Sequence, residues 1–88
     1  MSENYSAILL RPAKKELEHL HPKVRGQIYR RLEALRADPR PQDVKSLRGV
    51  GAYRVDSGEY RIVYEIDDAE RRVIVRVIKH RKDVYRNL

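Results

Sequence analysis

The chain is 88 residues long, 41% hydrophobic and 38% charged, with a net charge of +7 and no cysteine. That length leaves room for one domain, residues 1–88, burying only about 60–65% of its unfolded surface. Without cysteine, disulfides and thiolate metal sites are excluded. The longest clean apolar run, Ala7 to Leu10, is far too short for a membrane span or a signal-peptide core, so a cytoplasmic protein with no membrane contact is expected.

In chain order, Tyr5 to Leu10 reads as a short strand. Pro12 suits the first turn of a helix, and Ala13, Leu17 and Leu20 then fall on one face at i, i+4 and i+7. Pro22 restarts the chain. Val24, Ile28, Leu32 and Leu35 describe a second amphipathic helix, ended by Pro39 and Pro41, and Gly26 favours fraying in its first turn. Two apolar helical stripes joined by a short connection predict an antiparallel helical hairpin packed on a sheet. His19 and His21 stand two apart and share no helical face, so a metal site there is not expected. Asp38 to Ala52 reads as a loop anchored into the core by Leu47.

The stretch Tyr53 to Ile66 follows, two runs of tyrosine and β-branched residues around Ser57-Gly58. It predicts a β-hairpin in which Gly58 supplies the positive φ. With Ser57 and Gly58 as the loop, Asp56 faces Glu59, Val55 faces Tyr60, Arg54 faces Arg61 and Tyr53 faces Ile62. Tyr53, Val55, Tyr60, Ile62, Tyr64 and Ile66 then share the core face by alternation. Arg54 and Arg61 meet on the opposite face, where like charges oppose each other at a cost. A local rule broken in this way tends to mark a functional site.

A polar connection at Asp67 to Glu70 leads to a last strand, Arg72 to Lys79. Residues 71–88 carry seven Lys and Arg against one acid, Asp83. The positive field is therefore concentrated at the C-terminal end, where it attracts a polyanion or an acidic protein. The order β-α-α-β-β-β makes an α+β domain, an antiparallel sheet with a two-helix hairpin on one face and the other face open.

Leu47-Arg-Gly, then Tyr53-Arg-Val-Asp-Ser-Gly-Glu-Tyr-Arg-Ile-Val-Tyr, then Val77-Ile-Lys-His-Arg-Lys-Asp-Val-Tyr85 resemble the RelE/ParE superfamily of bacterial type II toxin-antitoxin toxins over nearly the whole chain. In the RelE branch the resemblance implies an endoribonuclease, an mRNA interferase that cuts messenger RNA in the ribosomal A site and is held inactive by an acidic RelB-like antitoxin. In the ParE branch it implies a DNA gyrase inhibitor without nuclease activity. It assigns Arg61 to the third-strand arginine, Arg81 to the arginine just past the fourth strand, and Tyr85 to a base-stacking tyrosine. Two second-strand lysines of the most active RelE members are replaced here by Arg54 and Asp56.

Cleavage by RNA's own 2′-hydroxyl needs a base, a cation at the phosphorane-like state and an acid for the leaving 5′-oxygen, with no metal or cofactor. Arginine suits phosphate clamping. The expected catalytic set is Arg61 and Arg81 on the phosphate, Arg54 adding field, Tyr85 stacking on a base, and His80 or Tyr85 moving the proton. Arg76, Lys79, Lys82, Arg48 and Lys45 are expected to attract RNA phosphates. The expected partners are the antitoxin, the ribosome and mRNA. A small basic RNA-binding domain without enzymatic activity is the alternative outside the toxin class.

Overall fold

A computed structural model describes residues 4–49 and 51–83 of the chain. The elements are β1 (Ser6–Leu9), α1 (Arg11–Glu18), α2 (Pro22–Ala37), β2 (Lys45–Leu47), β3 (Ala52–Ser57), β4 (Tyr60–Asp67) and β5 (Arg72–His80). Proline opens both helices within the first two positions, where its missing N–H costs no hydrogen bond. His21 caps α2 through its side chain, Nδ1 accepting from the Lys23 amide at 3.1 Å. No helix among the described residues is long and apolar enough to cross a membrane.

The five strands form one sheet in the order β1-β5-β4-β3-β2. The expected α+β class holds, with the helical pair on one face. Two details differ from the sequence reading. The loop after α2 contains the short edge strand β2, which pairs antiparallel to β3. The sheet is also mixed rather than wholly antiparallel, because β1 lies parallel to β5. Hairpin connections alternate strand direction from β2 to β5, but the long helical excursion after β1 imposes no such reversal.

Alternation divides the sheet into two faces, with one change of phase on β5 between Val75 and Val77. Val55, Ile62, Tyr64, Val73, Val75 and Ile78 pack with Ala13, Leu17, Ile28, Leu32 and Leu35 into the main core, and Tyr53, Tyr60, Ile66, Leu20 and Val24 lean against it. Complete burial of a large aliphatic side chain such as Ile28 or Leu35 contributes about 1.5–3 kcal/mol. The predicted core face of the hairpin is thus correct. Leu47, by contrast, does not reach this core. It joins Ala52, Val63 and Val77 in a separate small cluster, because its pairing with Ala52 puts it on the sheet's other face.

Candidate nucleic-acid interface

The hairpin turn is Gly58-Glu59, one residue later than expected, and Ser57 faces Tyr60. Gly58 has φ +59° at the first central position, the place a type II′ turn reserves for glycine. Each β3 residue therefore meets a β4 partner two positions further on than predicted. A two-residue slip preserves which side chains share a face, so the core assignment survives while the arginine pairing does not. Arg54 faces Val63, and Arg61 faces Asp56. The premise of two arginines in direct opposition is corrected: an acid fills the place across from Arg61, as cross-strand charge pairing favours.

The open face at this end of the sheet is built from four strands. Lys45 on β2 stands across from Arg54 on β3, and Lys79 on β5 stands across from Arg61 on β4. Arg81 continues the same ladder past β5, its amide donating to the Glu59 carbonyl at 2.8 Å. Alternation thus sets Lys45, Arg54, Arg61, Lys79 and Arg81 on one surface. The β5 bulge that shifts register opposite Val63/Tyr64 falls at Arg76, further along the face.

Acids are threaded through these cations. Asp56 Oδ1 lies 3.0 Å from Arg61 Nε and 3.6 Å from Arg54 Nε. Glu59 Oε2 lies 3.2 Å from Arg81 Nε, and Arg76 Nε is 3.4 Å from Glu65 Oε2. Arg54 and Arg61 are mostly covered, their side chains 12% and 18% exposed, against 45% for Asp56. The more open pairs, Arg76 with Glu65 and Arg81 with Glu59, contribute about 0–1 kcal/mol each, so an incoming phosphate can compete for those guanidinium groups with little penalty.

The structure does not bring every expected residue here. His80 pairs with Tyr60 on the helix-covered side, its ring edge-on to Tyr60 at 5.4 Å and its Nδ1 accepting from the Lys82 amide at 3.2 Å. Strand alternation points it away from Arg61, so it is not placed to move a proton at this surface. Arg48 follows β2 at the far end of the sheet from the Gly58 turn, and Lys82 is exposed just past β5. Tyr85 lies outside the described residues. Sequence reasoning weighed Asp56 only as a departure; the signal that it belongs to the cluster was its charge complementarity to Arg61 under a Gly58-Glu59 turn.

Residues 7–84 match the family described as the ParE toxin of the type II toxin-antitoxin system parDE. The RelE1 toxin candidate of Methanocaldococcus jannaschii is 32% identical, with 83% of this chain and 86% of that protein covered. Among solved structures, the toxin-antitoxin complex RelBE2 of Mycobacterium tuberculosis gives a TM-score of 0.81 at 26% identity over 94% of this chain and 98% of the matched one. The intact RelBE toxin-antitoxin complex of E. coli gives 0.76 at 29% identity over 86% and 95%. Helical pair, sheet order and sequence kinship agree, and the chain belongs to the RelE/ParE superfamily of type II toxin-antitoxin toxins.

Proposed function

We propose that this toxin is a ribosome-dependent mRNA endonuclease of the cytoplasm, with the Arg54, Arg61, Lys79 and Arg81 surface as its phosphate clamp. The carrying observation is the register, which gathers cations from separate strands on the open face of the sheet at the Gly58 end. Forked guanidinium groups suit a phosphodiester and stabilise charge growing on it. An open sheet face is poorly suited to holding a flexible RNA in line for attack, and alignment can be worth about 7–11 kcal/mol of barrier. A codon already ordered by the ribosome supplies that alignment.

By analogy with the RelBE complexes, the toxin is countered by an acidic antitoxin segment. The surface beside α1 suits one, since Arg11, Lys14 and Lys15 border a groove there and Leu10 and Tyr29 stand 41% and 50% exposed nearby.

The test is inducible expression followed by mapping of mRNA 5′ ends. Cuts at a fixed position within translated codons are expected, and Arg61→Ala should reduce them about 10²–10³-fold, as for loss of one transition-state donor. Intact mRNA with DNA damage, unrelieved by Arg61→Ala, selects gyrase inhibition instead. That second reading is favoured by the ParE description of the matching family and by the carboxylates that offset the arginines.

A further inference from the structure

Arginine clamps a phosphate but does not accept a proton near neutral pH, so the proposed reaction leaves its base unassigned. His80 turns to the other side of the sheet. Among the described residues of the guanidinium cluster, the carboxylates of Asp56 and Glu59 can take a proton, and Asp56 is the one set between two arginines, both of its ion pairs converging on Oδ1. Resting on the mRNA-cleavage reading above, we propose that Asp56 is the general base of this toxin, Oδ2 receiving the proton of the substrate's 2′-hydroxyl.

The surroundings suit that role. The two guanidinium groups held at Oδ1 leave Oδ2 out of either ion pair, and they counter the carboxylate's repulsion from a phosphodiester. Asp56 is 45% exposed, open enough to meet a ribose. In the step, the 2′-oxygen gives its proton to Oδ2 and forms a bond to phosphorus. The bond from phosphorus to the 5′-oxygen breaks, its electron pair staying on that oxygen, which takes a proton from water. Asp56 then returns its own proton to water. The products are a 2′,3′-cyclic phosphate and a free 5′-hydroxyl.

The experiment uses purified toxin, ribosomes programmed with a defined mRNA, and single-turnover rates at saturating toxin. Asp56→Asn should slow cleavage about 10²–10⁴-fold, the usual contribution of a general base. Its binding to the programmed ribosome should be unchanged or tighter, because a negative charge has left a phosphate site. Asp56→Glu should recover part of the rate, and wild-type product should end in a cyclic phosphate. Asp56→Asn cutting as fast as wild type, or faster, overturns the assignment and leaves Asp56 a mere counter-ion. So does a rate loss that follows Glu59→Gln instead, or a loss confined to binding. No cleavage by the wild-type chain removes the proposed function and this inference together, whereas cleavage that survives Asp56→Asn removes the inference alone.

Discussion

Tyr64 is fully buried under the helices, yet its hydroxyl donates to the Pro39 carbonyl at 2.7 Å, fastening the loop after α2 to the middle of the sheet. Burial is the leading cause of the upward shift in its pKa, so it remains a neutral donor at any working pH. Tyr64→Phe keeps the ring and leaves the buried proline carbonyl without its donor. An unmade bond of that kind should cost about 1–2 kcal/mol, read as a lower urea midpoint at unchanged m-value. Arg61 shows the same dependence on one neighbour. Its nitrogen is set by the Asp56 oxygen 3.0 Å away, and Arg61→Lys loses the fork while keeping the charge. Under the proposed mRNA-cleavage function, Arg61→Lys should therefore cut more like Arg61→Ala than like the unaltered chain, as single-turnover rates on programmed ribosomes can show.

Among the elements, α2 carries a position that can be improved. Gly26 lies inside the helix, where glycine is less favourable than alanine by roughly 0.5–1 kcal/mol. A Cβ built there meets only Arg30, at 3.8 Å. Gly26→Ala should raise the unfolding free energy by about that amount, measurable by denaturant titration, and a loss of stability would show that the site has no room. The helices were legible in the sequence because proline marks their starts and a 3.6-residue apolar period runs through Ala13 to Leu35. The core face of the hairpin was legible for the same kind of reason, since strand alternation survives an even slip in register. The register itself was not, because Ser57-Gly58 and Gly58-Glu59 both offer glycine to a tight turn. What separates them is non-local: Asp56 against Arg61 is favourable and Arg54 against Arg61 is not. Strand β2, three residues without an apolar pattern of its own, is held by its pairing with β3. The parallel placement of β1 depends on the whole chain between it and β5. His80 was misplaced because adjacency in sequence to Lys79 and Arg81 means opposite faces in a strand.

Across the whole molecule, the candidate interface and the main polar tie stand at opposite ends of the sheet. At the end away from the Gly58 turn, Asp68 accepts from the Tyr5 hydroxyl at 2.6 Å and from Arg40 at 2.9 and 3.2 Å. The segment before β1, the loop after α2 and the β4–β5 turn are thereby joined, with Arg40 also lying over the Tyr53 ring at 5.6 Å. Arg40 first, and then Tyr5, hold the Asp68 carboxyl at about 2, below its ordinary 3.8. A carboxylate whose folded value is depressed stabilises the fold fully above its unfolded pKa, and that contribution fades as pH falls through the folded value. The chain should accordingly lose stability between about pH 4 and pH 2. Asp68→Asn should have a lower urea midpoint than the unaltered protein at pH 6, and the two should converge as pH approaches 2. A gap that stays constant across that window would assign the acid sensitivity to another carboxylate. Because the tie lies at the other end of the sheet from Arg61 and Arg81, the same variant should match the parent at pH 7 in the mRNA-cleavage assay that tests the proposed function.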